Sequence, residues 1–333
     1  MNVLVTGSAG HLGEALMRVL RESHHTPIGI DLKPSAFTDE VGSIVDRTFV
    51  QRCVSHADAV IHAATLHKPH VATHSRQAFV DTNITGTLNL LEAAASSGLR
   101  AFVYTSTTSV FGHAARPPAT APAAWITEDV VPEPRNIYGI TKLTAERFCE
   151  LIHRTRRLPC LVLRTSRFFP EADDDKATRE TYDDVNAKVN EILYRRADIE
   201  DVAAAHVLAL ERAPAIGFAQ YIVSATTPFT RDDLRELHSN APAVVKRRVP
   251  RYEDVYESLG WSMFPRIDRV YVNDRARAQL RWTPKYDFAR VIELLASGAP
   301  ARSALAQTIG SKGYHEQTFS DGPYPVDSER TSA

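Results

Sequence analysis

The chain has 333 residues, 44% of them hydrophobic, enough for one large domain or a domain with a smaller lobe. Its 39 Lys plus Arg against 40 Asp plus Glu leave a formal net charge of −1, which argues against nucleic acid or an anionic membrane as the main partner. Three unpatterned cysteines, Cys53, Cys149 and Cys160, fit free thiols in a reducing compartment better than a disulfide framework.

The chain opens with an apolar strand pattern, without the basic start and long apolar core of a signal peptide, so a soluble cytoplasmic protein is expected. Val3–Val5, Thr26–Ile30, Ala59–His62, Ala101–Thr105 and Cys160–Leu163 read as strands. Amphipathic segments lie between them: Leu12–Arg21, Phe79–Ser97 and Ile140–Thr155. This alternation predicts βαβ units and a Rossmann-like, doubly wound parallel sheet covered on both faces. The Pro- and Ala-rich stretch 112–125 reads as a loop or flap. Beyond Arg167 the rhythm falters through "EADDDKATRETYDD". It resumes with helices near Val185–Arg195 and Asp201–Arg212 and a strand at Tyr221–Ser224. The expected division is a dinucleotide-binding domain of residues 1–166 with 199–225, and a smaller substrate lobe of 167–198 with 226–300. A tail of 301–333, partly mobile, would follow.

"VLVTGSAGHLGEALMRVL" reads as strand, turn and helix, with Gly7, Gly10 and Gly13 in the turn. The first glycine permits a tight turn, the second lets a pyrophosphate approach the backbone, and the third lets the helix pack close. The helix N-terminus then offers free N–H groups to the phosphates. Asp31 ends the second strand, where an acid binds ribose hydroxyls and repels a 2′-phosphate. That favours NAD over NADP, and Lys33 weakens the preference without reversing it.

Taken together, these motifs resemble an extended short-chain dehydrogenase/reductase of the NAD-dependent epimerase/dehydratase group. "TGSAGHLG", "DAVIHAA", "DTNITGTLNLLEAA", "FVYTSTTSVFG", "YGITK", "LVLRTSRFFP", "DIEDVAAAHVLAL" and "VNDRARAQLRWTPKYDF" follow that family's order. The resemblance assigns catalysis to Thr107, Tyr138 and Lys142, with Ser106 and Thr108 as neighbours should the register slip by one. It assigns the cofactor to Gly7, Gly10, His11, Leu12, Gly13, Asp31, Lys33, Ser43, Ile44, Ala63, Ala64, Thr65, Thr105, Tyr138, Lys142 and Ser166. Thr107, Thr108 and Arg167 would face the substrate, a sugar or nucleotide sugar.

Four departures from the family pattern matter. Thr108 and Ser109 stand where dehydratases carry an Asp–Glu pair, which disfavours dehydration. Ser43 and Ile44 replace an acid near the adenine. Arg167 replaces an asparagine and would set a cation beside the substrate, suited to a phosphate or carboxylate. The stretch between Thr107 and Tyr138 is lengthened, so the lid over the site is expected to differ.

In this reading Lys142 and the oxidised nicotinamide lower the Tyr138 pKa from about 10, and Thr107 steadies the reacting oxygen. Asn83 ties helix to strand, and His206 is a satisfied helix histidine. His67, His70 and His74 have helical spacing but no completing ligand, so no metal is assigned. Asp173–Asp175 reads as a solvated loop. Helices Phe79–Ser97 and Tyr138–Thr155 would pair across a homodimer axis, again by resemblance. The leading expectation is an epimerase that oxidises a ring hydroxyl, holds a keto intermediate and retains its NAD. The alternatives are a dehydrogenase or reductase of a sugar acid, polyol or other carbonyl with exchangeable cofactor, and an idle NAD sensor.

Overall fold

In the first strand, β1 (Asn2–Thr6), Val3 and Val5 face one way and Leu4 the other, and all three are fully buried. Both sides of this strand therefore need cover, as in a doubly wound sheet. The computed structural model describes residues 1–315, 317 and 319–325. β2 (Thr26–Asp31), β3 (Glu40–Val41), β4 (Ala59–His62), β5 (Ala101–Thr107), β7 (Cys160–Thr165) and β8 (Phe218–Val223) join β1 in a seven-stranded sheet. Its order is β3-β2-β1-β4-β5-β7-β8, and every pairing is parallel. Helices His11–Arg21 and Ile199–Ile216 pack with Val3, Val5, Ile61, Val103 and Leu161 on one face. Leu4, Val60 and Phe102 meet Leu90, Leu91 and Ala145 on the other.

All strands point the same way, so their C-terminal ends make one rim, where open α/β sheets bind ligands. A second core, including Leu193, Leu237, Val244, Val270 and Phe288, lies in the later half of the chain. Two short parallel strands, β6 (Ala124–Ile126) and β9 (Arg269–Tyr271), belong to this region.

Several expectations are corrected. Residues 112–125 are not all loop: His113–Ala115 forms a 3₁₀ turn, and Ala124 and Trp125 open β6 by pairing with Arg269 and Val270. The single helix expected over Phe79–Ser97 is instead a short α-helix, Arg76–Phe79, a π-helical turn, Val80–Gly86, and an α-helix, Thr87–Ser96. The start of the tail is anchored, while residues 316, 318 and 326–333 of it lie outside the described residues. Ser303 caps the helix Ala304–Ile309 and bonds both carboxylate oxygens of Asp198, at 2.6 and 2.9 Å.

Candidate active site

The glycine turn follows from steric limits. Gly7 adopts φ +76°, and its amide and that of Ser8 donate to the Ile30 carbonyl at 2.8 and 3.2 Å. A Cβ on Gly13 would lie 1.9 Å from the Gly7 carbonyl oxygen, so only glycine lets the helix start this close. Asp31 closes the turn from β2: one carboxylate oxygen accepts from the Ala9 amide at 3.1 Å and the other from Lys33 N at 2.9 Å.

Behind this turn a row of hydrogen bonds fixes the loop after β4. Thr87 Oγ1 donates to the Asn83 carbonyl at 2.7 Å, so it accepts from His62 Nε2 at 2.9 Å. His62 Nδ1 then accepts from Thr6 Oγ1 at 2.7 Å, and the Thr6 oxygen accepts from the Ala63 and Ala64 amides at 3.2 and 3.1 Å. Burial drives the His62 pKa far down and keeps the ring neutral. Asn83 sits in the π-helical turn. Its side chain accepts from Leu66 N at 2.8 Å and donates to Thr141 Oγ1 at 3.1 Å, tying the β4 loop to the next helix.

That helix runs Ile137–Arg156, capped by the Asn136 side chain on Gly139 N at 3.0 Å. The cap starts it three residues earlier than its apolar pattern predicts and places Tyr138 in the first turn. Tyr138, Lys142 and Glu146 then share one face, at i, i+4 and i+8. All three are buried. Thr107 lies near enough to the Tyr138 phenol to lower its pKa, and Thr107 Oγ1 accepts from Ser109 N at 3.1 Å. The neighbouring Ser106 hydroxyl turns inward and donates to Glu146 at 2.6 Å, so Thr107 is the hydroxyl beside Tyr138.

Burial pushes the Tyr138 phenol up to about 12, opposed by the neighbouring Thr107 hydroxyl. The lowering expected from Lys142 is not found. The Lys142 ammonium donates to the Thr105 carbonyl at 2.6 Å and lies 4.3 Å above the Tyr104 ring. Burial lowers its pKa to about 7, with the Glu146 carboxylate pulling it back up. Glu146 is itself held by Arg164 at 2.8 Å and by Gln220 at 3.2 Å. The Thr105 hydroxyl faces away from the cleft. His206 Nδ1 donates to the Val202 carbonyl at 2.8 Å, so Nε2 accepts from Thr105 Oγ1 at 2.9 Å, and burial lowers the His206 pKa to about 4.

Arg167 is not an open cation. It pairs with Asp173, with Asp174 at 2.7 Å and with Glu191 at 2.8 Å. Glu191 also binds Arg195 and Arg196, at 2.7 and 2.8 Å. The acidic run is therefore an ion network rather than a solvated loop: Asp174 also holds Lys68, and Asp175 caps the helix Lys176–Thr181. Among the three histidines, both ring nitrogens of His70 are engaged, by His67 N at 2.9 Å and the Tyr314 carbonyl at 3.1 Å. Among the described residues, the His/Glu group with metal-ligand spacing is His24, His25 and Glu211. It adjoins the start of β2, at the opposite end of the strands from the glycine turn.

Every residue the sequence assigned to cofactor, catalysis or substrate lines one cleft of about 440 Å³. Its walls fit a dinucleotide. The glycine turn leaves a cradle beside Asp31, and buried polar atoms on the cleft wall, both ring nitrogens of His11 and the Ser166 hydroxyl, lack partners. Sequence reasoning missed Lys312, Tyr314 and Tyr324, which line the same cleft. The aromatic residues within "KGYHEQTFSDGPYPV" were the available signal, since a purely solvated tail has little use for them.

Residues 3–220 match the NAD dependent epimerase/dehydratase family. The chain belongs to that family. It is 26% identical to the UDP-glucose 4-epimerase of Rhizobium meliloti, over 88% of this chain and 95% of that protein. It is 30% identical to the low-salt glycan biosynthesis protein Agl12 of Haloferax volcanii, over 53% of this chain and 60% of that one. It spans about half the length of several curated relatives. A short-chain dehydrogenase/reductase superfamily protein of Agrobacterium tumefaciens with bound NAD superposes with a TM-score of 0.63 at 23% identity, covering 92% of this chain and 99% of that one, which supports the fold. Among the described residues no helix is long and apolar enough to cross a membrane.

Proposed function

We propose that this family member is an NAD-dependent epimerase of a sugar or nucleotide sugar, working through a transient keto intermediate with Tyr138 as acid and base. The observation that carries this reading is the placing of Tyr138, beside Thr107, in the same cleft as the glycine turn, with Lys142 one helical turn on. The absence of carboxylates at Thr108 and Ser109 directs the site away from dehydration. The match to a UDP-glucose 4-epimerase along most of the chain supports the substrate class.

Bound NAD supplies the redox chemistry. Tyr138, protonated at neutral pH, is the proton donor when the keto group returns to an alcohol. The opposite direction needs a phenolate, which the positive charge of the oxidised nicotinamide would favour. Thr107 holds the reacting oxygen beside the phenol. The ion-paired Arg167 makes a wall rather than an anion receptor. The protein is proposed to work in the cytoplasm as a homodimer. Ile140 and Leu151, 51% and 44% exposed on helix Ile137–Arg156, offer an apolar face for the partner subunit.

The test is to denature the purified protein and assay the released nucleotide, then to offer nucleotide sugars and free sugar acids while following NADH absorbance and product stereochemistry. Bound NAD near one equivalent, with stereochemical inversion and no net NADH, is expected. Net NADH with an exchangeable cofactor would replace the epimerase by a dehydrogenase.

A further inference from the structure

Beyond Gly310 the chain turns back across the cleft and is pinned on both sides of it. On the cofactor side, Lys312 Nζ pairs with one oxygen of Glu14, whose other oxygen holds Arg18 at 2.7 Å. Glu14 lies in the first turn of the helix that begins at the glycine turn, three residues after His11. On the substrate side, Arg179 bonds Asp321 at 2.6 Å and lies against Gly322, where a Cβ would come within 2.8 Å of the guanidinium. Between these pins, Ser311 Oγ and Gly313 N both donate to Glu171, at 2.8 and 3.2 Å. Tyr314 lies over the middle. Its ring meets Phe169 edge-on at 5.7 Å and stands 6.2 Å from His67, which is itself 6.2 Å from Tyr138.

The charges at the first pin present a conflict that Arg18 and Lys312 resolve together. A helix N-terminus receives phosphate because its free N–H groups and dipole are positive, and a carboxylate in the same turn opposes that. Glu14 is such a carboxylate, 5% exposed. Arg18 and Lys312 neutralise it together, and the Lys312 charge is near enough to act on the imidazole of His11. An ammonium has three N–H groups, and Glu14 takes only one or two of them.

We propose that residues 311–315 and 319–325 form a cofactor clasp, in which Lys312 adds a cation to the pyrophosphate site at the glycine turn and Tyr314 closes the cleft over the dinucleotide. The clasp rests on the cofactor reading given above and extends it: it sets how long NAD stays bound. An epimerase needs its cofactor in place between two half-reactions, whereas a dehydrogenase must let it go, and a strap pinned at both ends serves the first requirement.

The experiment compares the full-length protein with Lys312→Ala, Tyr314→Ala and Arg179→Ala, reading NADH release by stopped-flow fluorescence and NAD affinity by calorimetry. Arg179→Ala loosens the far pin without touching the cofactor, so the proposal stays testable if another variant fails to fold. Lys312→Ala and Tyr314→Ala are each expected to speed release by about tenfold or more, with Arg179→Ala in between and Lys312→Arg close to the parent. Release within about twofold of the parent in every folded variant overturns the clasp while leaving the cofactor assignment intact. A parent protein that binds no dinucleotide at all overturns both, so the two failures are distinguishable.

Discussion

At the cofactor end of the cleft the walls are mostly backbone: the Gly7–Gly13 turn, the ends of β1, β2 and β4, and amides held by Thr6. At the substrate end they include the charged side chains of Arg167, Arg196 and Asp174, with Glu191, Arg195 and Asp173 paired to them. A backbone wall demands particular residues at fixed spacings, because a Cβ either fits or does not. An ionic wall demands only that opposite charges meet, and they can come from distant parts of the chain. The first kind of wall tolerates little change; the second can change its specificity by exchanging partners.

The largest expected effect lies where the two ends meet. Tyr138→Phe removes the proton carrier and is expected to lower kcat by about 10²–10⁴-fold with NAD affinity retained. Retained turnover on an identified substrate would reject Tyr138 as acid and base. Next comes the ionic wall. Glu191→Gln leaves three guanidinium groups around a neutral amide, and a loss of about 3–5 kcal/mol is expected in urea unfolding. A loss near that of an exposed pair, about 0–1 kcal/mol, would show the wall to be dispensable.

Acid should probe the two kinds of wall in sequence. Burial lowers the pKa of His67 to about 3 and of His70 and His206 to about 4, from 6.5 when unfolded. Below pH 6.5 the unfolded chain takes up these protons first, so stability is full above 6.5 and falls as pH drops towards 4. At pH 5 each such group should cost about 2 kcal/mol, seen as a lower urea midpoint, and His206→Gln should remove one group's share of the slope, which the fully buried His62 also feeds. Glu191 titrates in the other regime. Its neighbouring arginines hold its pKa far below 4.5, so its contribution is full above 4.5 and is lost only in stronger acid. A midpoint unchanged from pH 7.5 to 5 would contradict neutral buried histidines. The smallest expected effect comes from one methyl group. Gly13→Ala forces helix and turn apart, at about 1–3 kcal/mol, and should weaken NAD binding more than it lowers Tm.

The same contrast explains what was legible in the sequence. The parallel sheet, the glycine turn and the Tyr138–Lys142 pair were visible because each imposes a period: alternating βα segments, glycines three apart, and an i,i+4 spacing. Thr107 needed the structure to separate it from Ser106, because the side chains of "TSTTS" differ in direction and hardly in chemistry. The ion pairs of Arg167 were not legible because its partners, Asp173, Asp174 and Glu191, read as loop charge and helix surface in a one-dimensional chain. The strap over the cleft was missed for a related reason. Its aromatic contacts reach His67 and Phe169, more than 100 residues earlier, and no local pattern records them.

The hydrogen bonds around His62 have a direction. From the amides of Ala63 and Ala64, through Thr6, His62 and Thr87 to the carbonyl of Asn83, five donors all point the same way. Reversing any one of them strands a buried neighbour, so the row switches as a whole or not at all. The imidazole is thus a locked strut, not a proton relay. Nitrogen NMR should find one tautomer, protonated at Nε2, and that lock keeps the floor under the cofactor loop from slackening between the two halves of a turnover.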